Sequence, residues 1–195
     1  MSRFTVALLA AIVPFAAFAA PENYTLDPYH TFPHFEVSHL GYSNMRGRFD
    51  KSAGKFTIDR AAKTGSIELV VQTASITTGD NDKGARPRAR DEHLRSPDFF
   101  NVAEFPTLVF KGTGVKFQGD NVQSIDGQLT MVGVTKPLSI TLENWKCGPH
   151  PVSKKEMCGG NAHAVLKRTD YGMKFGVPAV GDELKLWFEI EAYKD

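Results

Sequence analysis

Leu184-Lys185-Leu186-Trp187-Phe188-Glu189-Ile190-Glu191 alternates without a break: Leu184, Leu186, Phe188 and Ile190 fall on one face, Lys185, Trp187, Glu189 and Glu191 on the other. A period of two over such a length is the mark of a strand with one buried face. The same pattern runs back through the chain. Residues 34–40 place Phe35, Val37 and His39 opposite His34, Glu36 and Ser38, and 55–59 set Phe56 and Ile58 against Lys55, Thr57 and Asp59. A long strand is predicted over 66–76, with Ile67, Leu69 and Val71 on one side, and others over 125–132, 138–143 and, more weakly, 161–168. Thr107–Lys111 and Val115–Gln118 read as two strands joined around Gly112 and Gly114, and Gly133-Val134-Thr135-Lys136-Pro137 reads as a hairpin link.

Only residues 79–110 interrupt this pattern after the N-terminal segment. Gly79, Asp80, Asn81, Gly84 and Pro87, set among basic residues, describe an exposed loop. Ser96 before Pro97 predicts a helix start, because the hydroxyl caps free amides and proline suits the first helical position. Asp98 then adds negative charge at the positive end of that turn. Phe99, Phe100 and Phe105 crowd more apolar surface into this segment than it can bury alone, so it needs a cavity to pack over.

Roughly eight strands at hairpin spacing, one short helical insert and no βαβ alternation predict an antiparallel all-β domain. A sandwich and a barrel both satisfy the pattern. The barrel is favoured because closure leaves no exposed edges. At about eight strands its interior either fills with side chains or holds one small ligand.

Residues 1–19 read as a secretory leader: Arg3, an apolar run from Phe4 to Phe18, and a small-x-small site at Ala17-Phe18-Ala19. Residues 20–195 then form one exported domain, with no further span expected. Without Arg3 the 23 Lys+Arg fall to 22, matching 22 Asp+Glu, so nothing in the charge balance favours nucleic acid or an anionic surface. Phenylalanine, at 14 against two tryptophans and five tyrosines, is expected to build the interior.

Taken in order, Asp27-Pro28-Tyr29-His30-Thr31, Phe35, His39-Leu40-Gly41, Gly47 with Phe49, Arg90 to Ser96, Phe99-Phe100, Phe105-Pro106, Phe110, Gly133 to Pro137 and Arg168 to Met173 resemble the YceI-like family of exported, polyisoprenoid-binding bacterial proteins. The resemblance covers nearly all of residues 20–195. It implies a lipocalin-like eight-stranded barrel with the helical insert at one mouth. It also implies a periplasmic carrier without chemistry, holding an isoprenoid, quinone-like or fatty amphiphile as ligand and using no cofactor. Thr31 stands where the family often has serine, which keeps the hydroxyl. The insert between Cys147 and Cys158 is not general to the family.

The expected lumen lining is Phe35, Val37, His39, Phe49, Leu69, Val71, Phe99, Phe100, Phe110, Leu129, Leu186 and Phe188. Taken alone, this stripe reads as ordinary core; the resemblance turns the set, though no single member, into the walls of a lipid tunnel. His39 interrupts an apolar face and is the first choice for a polar contact inside.

Head-group or lid candidates are His30, Arg90, Asp91 and His93, the arginine offering a planar fork for phosphate oxygens. The competing reading makes Asp91 a cap, paired with arginine, that pins the lid. His30, His34 and His39 can be written as a metal or haem site, but no carboxylate partner is evident and their parities differ, so no metal is expected. Cys147 and Cys158 are expected to form a disulfide in an oxidising compartment, in preference to a zinc site with His150 and His163. Arg168 and Asp170 read as an ion pair at a turn. No nucleophile motif or phosphate loop is present, so no catalytic residue is assigned. A filled barrel serving a structural role is the rival reading, and a homodimer is left open.

Overall fold

The computed structural model describes residues 20–195, so the leader reading lies outside the described residues. In chain order the strands are β1 (Glu22–Leu26), β2 (Phe32–His39), β3 (Ser43–Phe49), β4 (Ser52–Asp59), β5 (Thr64–Gln72) and β6 (Ile76–Thr77). The helix α1 (Arg90–Arg95) follows, then β7 (Thr107–Gln118), β8 (Asn121–Met131), β9 (Val134–Pro149), β10 (Glu156–Lys167) and β11 (Val180–Lys194). Sheet order is β1-β4-β5-β7-β8-β9-β10-β11, with β11 returning to β1, so eight strands close an antiparallel ring. The remaining three, β2, β3 and β6, continue β1, β4 and β5 past short breaks and extend the wall at one end, where β2 also pairs with β11. No helix among the described residues is long and apolar enough to cross a membrane.

The alternation in β11 has the expected consequence. Leu184, Leu186 and Phe188 stand opposite Val37, Phe35 and Pro33 and point inward. On the other face Trp187 lies against its register partner His34 with stacked rings. The break between β1 and β2 is bridged by Thr31, which is 2% exposed. Its hydroxyl donates to the Glu191 carbonyl at 3.0 Å and accepts from the Glu191 amide at 3.2 Å, standing in for a missing backbone rung. Its own carbonyl takes the Ser52 hydroxyl at 2.6 Å. A serine hydroxyl has the same donor and acceptor capacity for this task.

Several sequence expectations are corrected here. The helix occupies Arg90–Arg95 and ends at Ser96, where a start was predicted. Proline disfavours the helical region for the residue before it, so Ser96 is extended (φ −76°, ψ 171°) and Pro97 stops the helix. The Ser96 hydroxyl donates backward to the His93 carbonyl at 2.7 Å. The strand predicted over 66–76 breaks at Thr73, whose amide and hydroxyl donate to the Pro106 and Phe105 carbonyls. Residues 107–118 form one strand with a register shift between Gly112 and Gly114. The glycines mark packing there: a Cβ at Gly112 or at its partner Gly127 would press on the Phe110 ring. The turn after β8 is only Val132-Gly133, both with positive φ, and Val134 to Pro137 already belong to β9. Strand β10 starts at Glu156, five residues before the predicted 161.

Replacing Thr31 by valine leaves the Glu191 amide without its acceptor, which should cost about 1–3 kcal/mol in urea unfolding. Thr31→Ser should stay within about 1 kcal/mol of wild type; equal losses for both would contradict the bridging role.

Candidate functional site

The inward faces of the ring do not meet. They enclose an apolar cavity of ≈330 Å³ under α1 and the connection between β10 and β11. The twelve residues expected in the lumen all border it. Phe35, Val37 and His39 come from β2, Phe49 from β3, and Leu69 and Val71 from β5. Phe110, Leu129, Leu186 and Phe188 come from β7, β8 and β11, while Phe99 and Phe100 follow α1. A second chamber of ≈50 Å³ lies toward the opposite end, bordered by Phe56, Val115 and Trp145. Leu69, Phe110, Ile140 and Phe188 border both spaces and form the partition between them. The two cysteines are joined, as expected, in a disulfide across β9 and β10 and border neither chamber.

The polar groups of the large cavity gather at its lid. Arg90 and His93 on α1 border it, together with Thr78 and His39. The helix is held down from two sides. Asp91, 1% exposed, accepts from the Thr78 amide (2.8 Å) and hydroxyl (2.6 Å) and the Thr77 hydroxyl (3.2 Å). Arg95 donates to the carbonyls of Ala74 and Ile76. Asp91 is therefore a tether for the lid. It does not cap α1, whose N-cap is Ala89, and it does not border the cavity. Asp98 lies between the Arg88 guanidinium at 2.7 Å and the His93 ring at 2.8 Å, which together hold its carboxyl below the usual carboxylate range.

The residue that sequence reasoning misjudged is Arg168. It makes no pair with Asp170, which is exposed. Arg168 is 3% exposed, and its Nε, Nη1 and Nη2 donate to four carbonyls, those of Gly181, Met173, Phe175 and Val180, at 2.8–3.0 Å. These bonds fold the 172–181 connection over the barrel. Phe175 thereby reaches His93 and Phe99, with ring centroids 4.8 Å and 5.5 Å apart, and Phe99 lies beneath the Arg168 guanidinium. Burial pushes the Arg168 pKa down, and only the nearby Asp182 opposes this. Asp182 itself accepts from the Thr169 amide and hydroxyl. Parity was the available signal: Ala162, Ala164, Leu166 and Arg168 occupy successive inward positions, and all four are buried.

The three histidines diverge. His30, on the surface, bonds Asp27 at 2.9 Å, and Asp27, His30 and Glu191 each bring one donor atom to within 4.8 Å of the others. His30 borders neither chamber, and the expectation that it has no carboxylate partner is corrected by Asp27, three residues earlier in the chain, with Glu191 from the far end at 3.9 Å. His34 and His39 both border the cavity, but the His34 ring stacks on Trp187 on the outer face of the wall.

A family model described as "YceI-like domain" matches residues 24–192. A UPF0312 protein of Pseudomonas aeruginosa is 34% identical over 179 residues, covering 91% of this chain and 89% of that one. Protein YceI of Escherichia coli is 32% identical over 195 residues, covering 98% and 97%. Among solved structures, BcnA of Burkholderia cenocepacia aligns at TM-score 0.66 with 20% identity, over 85% of this chain and 98% of that one. A polyisoprenoid binding domain from Saccharophagus degradans, implicated in plant cell wall breakdown, aligns at 0.60 with 18% identity, over 88% and 98%.

Replacing Arg168 by methionine leaves four carbonyls of the lid connection without their donor. Urea unfolding should show a loss of at least about 3 kcal/mol, with faster amide exchange across 172–181. Asp170→Ala should change stability by less than about 0.5 kcal/mol, and a comparable loss there would restore the discarded ion pair.

Proposed function

The chain belongs to the YceI-like family, and on that premise we propose that it is an exported carrier holding a long-chain amphiphile in its barrel without reacting with it. The observation that carries the reading is the apolar cavity of ≈330 Å³, with polar groups confined to the lid. An apolar cavity of about 150 Å³ already takes up benzene in water. A space twice that size, walled by phenylalanine and leucine, suits a slender hydrocarbon tail. Each methylene withdrawn from water contributes about 0.8 kcal/mol, so a few isoprene units suffice for stable binding. Ordering a flexible chain offsets part of that gain, and such a site selects for length and slimness more than for identity.

Isoprenoid, quinone-like and fatty tails all satisfy these demands. The polyisoprenoid binding named for the Saccharophagus neighbour favours the first. Arg90 and His93 face the polar end of the ligand in this reading, while Asp91 serves the lid and His30 serves neither. The Cys147–Cys158 disulfide and the family support a periplasmic location. The rival reading, a barrel filled by its own side chains, is disfavoured by the space left between them.

Native mass spectrometry of the protein purified without detergent should register a bound lipid that organic extraction removes, and should count subunits in the same spectrum. Absence of any adduct, together with no uptake of added laurate or farnesol, would overturn the carrier reading. Phe188→Asp places a carboxylate in the partition and should abolish retention. Phe110→Ala should join the two chambers and lengthen the longest chain retained by a few carbons, at a stability cost of about 3–5 kcal/mol.

A further inference from the structure

We propose that Asp27, His30 and Glu191 form a surface site for one zinc-like divalent transition-metal ion, which clasps the break between β1 and β2 to the closing strand β11. The three residues border neither chamber, so the site stands apart from the carrier reading.

The ligand set has the spacing an ion needs. Each residue brings one donor atom, and the three atoms lie within 4.8 Å of one another. The His30 Nδ1 is 2.9 Å from Asp27 Oδ2 and 3.9 Å from Glu191 Oε2. Around a zinc ion met at about 2.1 Å, neighbouring donors stand roughly 3.0–3.4 Å apart. A small turn of the half-exposed Glu191 side chain brings the set to that spacing. One imidazole with two carboxylates suits zinc and its neighbours in the first transition row, whereas calcium and magnesium take oxygen ligands.

The backbone beneath the site is already fixed. The Asp27 amide donates to the Glu191 carbonyl at 2.8 Å, and the Thr31 hydroxyl binds both the carbonyl and the amide of Glu191. Within the turn, the Tyr29 amide donates to Asp27 Oδ1 at 2.9 Å and the His30 amide to the Asp27 carbonyl at 3.2 Å. Asp27 and His30 are thus held face to face on a closed turn, and that turn is bound to the strand carrying Glu191. Little ordering is left for the ion to impose.

Charge points the same way. Among the described residues, His30 is the only basic side chain with a nitrogen within 4.0 Å of either carboxylate. Glu22 and Glu36, by contrast, are paired with Lys194 at 2.6 Å and Arg46 at 2.7 Å. With the imidazole neutral, the cluster is anionic and attracts a cation. The ion takes the place of the proton that Nδ1 shares with Asp27, and that proton leaves to solvent. The His30 side chain is 61% exposed, so water reaches the open side and completes the coordination.

The test is a calorimetric titration of the full, untagged protein, stripped with EDTA, using Zn²⁺ and, separately, Mg²⁺. One zinc per chain should bind, and Mg²⁺ should not compete. His30→Ala should weaken zinc at least about tenfold, because disturbing even an outer partner of a bound metal costs that much. Glu191→Gln and Asp27→Asn keep the backbone bonds and the side-chain shapes, and each should weaken zinc severalfold. Zinc should raise the melting temperature of the wild type and leave that of His30→Ala unchanged. His163→Ala is the control, because His163 and Glu143 form another exposed pair, at 2.8 Å, across β10 and β9. Zinc binding that survives His30→Ala intact, or that vanishes with His163→Ala, overturns the site. So does Mg²⁺ binding as tightly as zinc, which would reduce the cluster to a patch of negative charge. Absence of zinc uptake would leave Asp27 and His30 as an ion pair only. Lipid retention should be the same in His30→Ala as in the wild type, so failure of the metal site and failure of the carrier reading are told apart.

Discussion

Closure of the ring through β11 is the constraint on which the rest depends. That strand hydrogen-bonds to β10 along one edge and to both β1 and β2 along the other, so eight strands close into a ring, while the wall extended by β2 and β3 ends at β6, which pairs only with β3. Closure fixes the circumference, and the circumference fixes how much room the inward side chains must fill. Here they do not fill it. The glycine pair Gly112 and Gly127 lets Phe110 swing across the bore, and with Phe188 it divides the interior into a large upper space and a small lower one. Thr31 is the smallest part of the same device, a hydroxyl completing the ladder where the wall bends between β1 and β2.

The lid follows from the open bore. An apolar cavity left in contact with water gains nothing from its lining, so something apolar has to lie over the mouth. Phe99, Phe100 and Phe175 supply the surface, and buried polar groups hold them in place: Asp91 binds α1 to the end of β6, and Arg168 folds the β10–β11 connection. The cavity departs from an apolar lining chiefly at its top, where Arg90 and Arg168 border it and no carboxylate does.

Much of this was legible in the residues. Strict alternation made the strands readable, and the parity of Phe35, Leu186 and Phe188 gave their inward direction. The excess phenylalanine after Arg95 demanded a cavity to cover. Three kinds of information were not legible. Ser96-Pro97 carries the chemistry of a helix start and of a helix stop alike, and only the hydrogen bond back to His93 separates them. Breaks in a strand, as at Thr73, depend on carbonyls more than thirty residues away. The role of Arg168 depended on carbonyls presented by a loop with no periodicity of its own. An inward-facing arginine at the end of an otherwise apolar row was nevertheless a readable anomaly, and pairing it with Asp170 by proximity in sequence concealed it.

The central claim is that the bore is vacant space held open for another molecule's hydrocarbon. A crystal structure of the protein purified without delipidation tests this most directly. The account predicts continuous, narrow electron density running from beneath Arg168 and His93 down to the Phe110–Phe188 partition. A barrel whose phenylalanines have turned inward to close that space, with no density other than protein, would contradict it.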